Sequence, residues 1–190
     1  MESGMRRLPL LTAWIAAVLA VAAIGGGTVG ATGAKALLPV ADQAKGGDRP
    51  LFIIERSKNA NVVHYDARLT PEGKFDPDQP VVAYWILLAE KGQRQDLNWI
   101  EKKKAYGFNL TPAADGYQMT VVAAPDRVIK VTLDGETVHA ELDIDGHPAY
   151  LEKMYINSTD GWTGPDVHYI ELYGKDKKTQ EERVEKVVPK

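Results

Sequence analysis

The sequence predicts a mainly β domain: an antiparallel meander forming a β-sandwich or a closed β-barrel, with one short helix. Three observations predict it. Apolar residues alternate with polar ones in strand-length runs, as in Ile129, Val131, Leu133 and again in Val138, Ala140, Leu142, Ile144. Aspartate–glycine pairs at 115–116, 134–135, 145–146 and 160–161 punctuate the second half of the chain, and such pairs suit the positive backbone angles of two-residue hairpin turns. One stretch, near residues 98–107, carries a full set of helix start and stop signals. Seven or eight short antiparallel strands shield their edges best when the sheet packs on a second sheet or closes.

Residues 1–34 have the form of an export signal. Arg6 and Arg7 precede an apolar run from Leu8 to Ile24, and small residues follow, with Val29-Gly30-Ala31 or Thr32-Gly33-Ala34 as cleavage sites. The run is about seventeen residues, at the lower limit for spanning a bilayer, so an uncleaved anchor is the competing reading. The expected location is the periplasm or the extracellular side, with membrane contact only through this segment if it stays attached. Without it the chain has 23 − 2 = 21 basic and 26 − 1 = 25 acidic residues, a formal charge of 21 − 25 = −4. That balance excludes nucleic acid as the main partner, since duplex binders carry a basic excess. No cysteine is present, which removes disulfides, thiol nucleophiles, thiolate metal sites and lipid attachment at cysteine together.

Residues 35–50 combine Gly46-Gly47 with Pro39 and Pro50 and show no sustained period, as expected of a flexible linker to a single β domain over 51–190. That domain opens with LFIIERSKNANVVHYDARL, residues 51–69. Leu51 to Ile54 and Val62, Val63, Tyr65 read as two strands. The polar connector Glu55 to Asn61 reads as a tight turn, with Asn59 and Asn61 bonding its backbone and Glu55, Arg56 and Lys58 on its surface. Charges there are either solvated or offered to a ligand, because loops on rigid scaffolds often carry binding residues.

Residues 70–80 hold three prolines and one glycine, which marks an irregular connection with Phe75 as its anchor. Val81 to Leu88 is apolar on both alternating faces, the pattern of a central strand covered on both sides. Tyr84 and Trp85 each bring a polar tip that needs a partner if buried. The helix follows, from about Trp99 to Tyr106. Asn98 and Glu101 have capping-box spacing, Gly107 is placed to end the helix in a left-handed conformation, and Lys102 to Lys104 lie toward its negative end. Those lysines face solvent, an anionic ligand or a membrane surface.

Beyond Gly107 come strands around Tyr117 to Ala123, 127–133, 138–144, 149–156 and 167–173. In the charged tail, Val184, Val187 and Val188 suit a last edge strand, and Thr179 with Glu182 suits a short helix.

The segments FIIERSKNANVVHYDARL, PVVAYWILLAEKG, NWIEKKKAYGFNL and VHYIELYGKD resemble, in that order, a family of exported bacterial domains of unknown function. The resemblance covers roughly residues 51–188 and implies one domain. It brings no catalytic or binding residue with it.

Known reaction signatures are missing: no glycine-framed serine, phosphate-cradling loop, dinucleotide fingerprint or paired histidines at metalloprotease spacing. His64 and Asp66 share one strand face, and His168 from a neighbouring strand would be needed to complete a metal site; solvent-facing strand positions are the ordinary reading, so neither metal nor cofactor is expected. The candidate ligand-binding residues are Glu55, Arg56, Lys58, Asn59, Asn61, Tyr65, Asp66 and Tyr84. Eight tyrosines in a β framework favour a non-catalytic binding module for a small polar ligand, a glycan, a lipid or another envelope component. A structural or assembly protein of the envelope is the second class. A hydrolase is the third, and it would need two acids such as Glu55 and Asp66 to converge.

Overall fold

The computed structural model describes residues 46–161 and 164–188. Eleven strands occur among them: β1 Gly47–Arg56, β2 Asn59–Leu69, β3 Val81–Leu87, β4 Gln93–Asp96, β5 Phe108–Ala113, β6 Gly116–Val121, β7 Ala124–Asp134, β8 Thr137–Ile144, β9 His147–Gly161, β10 Gly164–Asp176 and β11 Glu182–Val187. A single α-helical turn, α1 (Trp99–Glu101), continues as a π-helical turn, Lys102–Tyr106. Residues 1–34, read above as an export signal, and residues 35–45 lie outside the described residues. No helix among those described is long and apolar enough to cross a membrane.

The strands form one curled sheet, in the order β4-β3-β2-β1-β9-β8-β7-β6-β5, with β10 along β9 and β11 along β10. It is mixed, where the sequence pattern suggests a purely antiparallel meander. β9 explains the difference. Its first residues pair antiparallel with β8, from Ile144↔His147 to Glu141↔Tyr150. Further along, Lys153 to Ile156 pair in parallel with Ile53 to Arg56. β10 occupies the other edge of β9 from Ala149 to Gly161, so β8 and β1 succeed one another on the remaining edge. Parallel neighbours need a long crossover, and everything between β1 and β9 supplies it. The sheet does not close: β4 and β5 end the path and are not paired with each other among the described residues.

The concave face holds the core. Phe52 and Ile54, Val63 and Tyr65, Met119 and Val121, Ile129 and Val131, Met154 and Leu172 are nearly or wholly removed from water, each large apolar side chain contributing about 1.5–3 kcal/mol. The alternation read in 129–144 therefore marks the inner face correctly. Phe75 does anchor its irregular connection, meeting Tyr117 edge-on at 5.3 Å.

Several local expectations change. The first turn is only Ser57–Lys58, closed by the pair Arg56↔Asn59, so Glu55, Asn59 and Asn61 belong to strands. Ser57 fixes this hairpin to β9, donating from its amide to the Ile156 carbonyl and from Oγ to the Ser158 carbonyl. β1 begins at Gly47 and pairs with β2 from its first residue, so residues 47–50 are strand and not linker. β3 is buried on both faces at Val81, Val82, Tyr84 and Trp85 but is next to last in the sheet, not central.

The capping box is present in both directions. The Asn98 amide donates to Glu101 and the Glu101 amide donates to Asn98 Oδ1. Gly107 ends the helix in extended backbone, φ −69° and ψ 167°, not in a left-handed one. Glycine is required there for another reason: a Cβ would sit 2.0 Å from the Lys102 carbonyl oxygen.

Candidate functional site

On the convex face of β1–β4, period-two alternation brings together side chains that the core excludes. Cross-strand pairing sets His64 beside Tyr84 and Tyr84 beside Asp96, with Asp48 opposite Arg68. Tyr84 donates to Asp66 Oδ2 at 2.5 Å. Its ring stacks on His64, centroids 5.6 Å apart, and the Arg94 guanidinium lies 3.6 Å from its centroid. Arg94 and Arg68 share Asp48, one on each carboxylate oxygen, at 3.1 and 2.9 Å, and Arg68 also donates to Gln79 at 2.7 Å.

The electrostatics follow from burial and partners. Burial raises the Asp66 carboxyl above its ordinary value, against the opposing hydrogen bond from Tyr84 and the charge of His64. Burial, then the bond to Asp66, pushes the Tyr84 hydroxyl up. Burial lowers His64, against the pull of Asp66. At Asp48 burial acts upward, but the hydrogen bonds and charges of Arg68 and Arg94 outweigh it and hold the carboxylate below its usual range.

Beside this cluster lies a cleft of about 880 Å³, bounded by Val81 to Ala83 of β3, by the helix, and by Phe108 and Asn109 of β5. Arg68, Arg94, Lys102 and Lys103 line it against a single carboxylate, Asp96. Trp99, Tyr106 and Phe108 supply apolar surface, and Trp99 is 72% exposed. The cleft can accept negative charge at one wall and a flat apolar group at another.

Of the sequence-predicted residues, Asp66 and Tyr84 meet in the convex cluster, though Asp66 is buried. Tyr65 is wholly buried in the core; it stacks on Phe52 at 4.5 Å and donates to the Tyr106 carbonyl at 2.7 Å, which fixes the helix end. Arg56 is turned toward the same region, donating to the Tyr106 hydroxyl at 3.0 Å and lying 5.9 Å from the Trp85 ring centre. Glu55 pairs with Lys153 at 3.1 Å on the convex face. Lys58 is exposed at the hairpin tip, and Asn59 and Asn61 lie at the start of β2. The eight therefore do not form one site.

Glu55 and Asp66 do not converge. Ile53 pairs with His64 and Pro50 with Asp66, which leaves the two acids several residues apart along the strands, roughly 13 Å at the strand rise. His168 is on β10, bonded to Thr159, three strands from His64. No cluster of three metal-ligating side chains occurs among the described residues.

The site residues missed in the sequence are Asp48, Arg68, Arg94 and Trp99. Asp48 sits in glycine- and proline-rich sequence, and Arg94 lies on β4, a strand of four polar, exposed residues with no apolar alternation. The lysines after Asn98 were the one available signal.

Fold and site together define a curled, mixed β-sheet domain with a cationic cleft at its open side. The chain belongs to the family described as Domain of unknown function (DUF4833), whose model matches residues 52–186. No curated protein and no solved structure matches it.

Proposed function

We propose that this chain is an exported, non-catalytic binding module that takes an anionic ligand with an apolar portion in the cleft between β3, the helix and β5. The observation that carries this reading is the charge of the cleft wall: Arg68, Arg94, Lys102 and Lys103 line it against Asp96, with Asp48 behind the two arginines, beside three aromatic rings. Asp48 holds Arg68 and Arg94 in place before any ligand arrives, so little side-chain freedom is lost on binding. Export is supported by Arg6, Arg7, the apolar run after them and the small residues before Lys35.

The test is calorimetry with naphthalene sulfonate and with uncharged naphthol, on the native protein and on the variant Lys102→Glu/Lys103→Glu. Both lysines are exposed, so the two substitutions should leave the fold intact. The sulfonate should bind at least about tenfold more tightly than naphthol, and the charge reversal should remove the difference, given the strength of charge pairs near a protein surface. Equal affinity for the two compounds, or indifference to the substitutions, would reject the reading.

A further inference from the structure

We infer that the ligand of this cleft is an extended acidic peptide that adds to the sheet as a new strand along the free edge of β3. The inference rests on the cleft being the binding site, and it adds the class of ligand.

The backbone of β3 carries the argument. The Arg68 amide donates to the Pro80 carbonyl at 2.9 Å, so Pro80 turns its carbonyl toward β2. By the two-residue period of a strand, Val82, Tyr84 and Ile86 do the same, while Val81, Ala83, Trp85 and Leu87 turn their amides and carbonyls the other way. There β4 serves Trp85 and Leu87, through Gln95 and Gln93. β4 ends at Asp96, opposite Tyr84, a register that brings the Leu97 amide toward the Ala83 carbonyl, and among the described residues no strand lies beside Val81. The Val81 amide and carbonyl and the Ala83 amide are directed away from β2 there, and both residues line the cleft. On the far side, the Val122 amide donates to the Gly107 carbonyl, so the backbone of Phe108 is directed away from β6, toward the open side of the sheet. The edge of β3 is the template for an added strand, and Phe108 faces it across the gap.

The side chains around the gap specify what that strand would carry. A strand laid against β3 alternates between the two faces of the sheet. On the convex face it meets Arg68 and Arg94, fixed by Asp48. On the concave face it meets Ala83, Tyr106 and Phe108, which pack with the core. The matching sequence alternates acidic with apolar residues. A small anion would meet only the arginine side of the cleft; an alternating acidic peptide meets that side and the outward backbone groups of β3 as well.

The test uses a fluorescein-labelled hexapeptide of alternating glutamate and valine, read by anisotropy on the purified full chain. Two further versions carry N-methyl groups on alternate amides, one on the odd set and one on the even set. A last version replaces glutamate by lysine. The acidic peptide should bind, and the lysine version should not. One methylated version should lose affinity at least about tenfold while the other binds nearly as well, because a strand pairs through one set of amides only. The variant Lys102→Glu/Lys103→Glu should weaken the acidic peptide.

Equal binding of both methylated versions would overturn strand addition while leaving an anion-binding cleft. Binding of naphthalene sulfonate with no binding of the acidic peptide would overturn the peptide and keep the cleft. Failure of both probes would remove the cleft reading as well. Concentration-dependent dimerisation in sedimentation that the acidic peptide cannot reverse would assign the edge to a second copy of the chain and overturn the inference.

Discussion

Tyr84 donates a 2.5 Å hydrogen bond to one oxygen of the Asp66 carboxylate, while the other oxygen, Oδ1, is buried with no partner. The phenol therefore supplies the only side-chain hydrogen bond that this carboxylate has among the described residues. Tyr84→Phe should cost about 1–3 kcal/mol near neutral pH, the usual loss when a buried polar group is left unpaired. Chemical denaturation at neutral and acid pH checks it: the loss should shrink in acid, where the carboxyl is neutral.

Asp66 itself should give a pH signature. Burial raises its carboxyl above the ordinary aspartate value of 3.8. A carboxyl raised on folding supports the fold while protonated; that contribution is complete below the unfolded-state value and is lost as pH rises through the higher folded-state value. Asp66→Asn removes the ionisation and keeps an acceptor for Tyr84. The variant should melt at or above the native temperature at about pH 7 and lose that advantage at about pH 3. A large loss at pH 7 would mean that the ionised form is the stabilising one.

The opening hairpin holds one charge turned inward and one at its exposed tip. Arg56 reaches the Tyr106 hydroxyl and the Trp85 ring, so Arg56→Ala should destabilise by about 1–3 kcal/mol through lost bonding and stem packing. Lys58→Ala, at the exposed tip, should stay within about 0.5 kcal/mol. Equal melting temperatures for the two variants would contradict the inward placement of Arg56.

Two glycines should fail for different reasons. Gly135 has φ of +60° in open space, so Gly135→Val should cost about 1–3 kcal/mol from backbone strain alone. Gly107 has ordinary backbone angles, but an added methyl meets the Lys102 carbonyl. Gly107→Ala should therefore shift the helix end, with loss of the near-ultraviolet signal of Tyr106 and Trp85, which touch edge-on at 5.0 Å.

If the chain is exported as proposed, its leader is processed. Mass spectrometry of the mature protein should find an N-terminus between Ala31 and Lys35, and an intact Met1 on membrane-bound protein would support an anchor instead.

The strands of the second half were legible because each buries one face, and burial writes a period of two into residues such as Ile129, Val131, Ala140 and Leu142. The helix start was legible because a capping box is local chemistry between Asn98 and Glu101. The turns were legible only approximately. Asp145 and Gly146 form the expected two-residue turn, both with positive φ, but Asp134 pairs with Thr137, so that turn is Gly135–Glu136. What pairs with what at long range left no local trace: nothing around Ile53 signals Lys153 as a partner. Apart from the lysines after Asn98, the cleft left no trace for the same reason, since Arg68, Arg94 and Lys103 come from three elements and meet only through the curl of the sheet.

The parallel contact between β1 and β9 also sets an order of events. Ile53 and Lys153 are 153 − 53 = 100 residues apart. Closing a loop of that length costs about 2 kcal/mol more than closing one of ten, by the logarithmic dependence of loop entropy. The β1–β2 hairpin is made first and has to wait, one edge unpaired and Phe52 and Ile54 without their final cover, until β9 has been synthesised. A chain emerging from its N-terminus thus carries an incomplete sheet through most of its own production, and folding slower than that of a domain built from local contacts is expected from this topology.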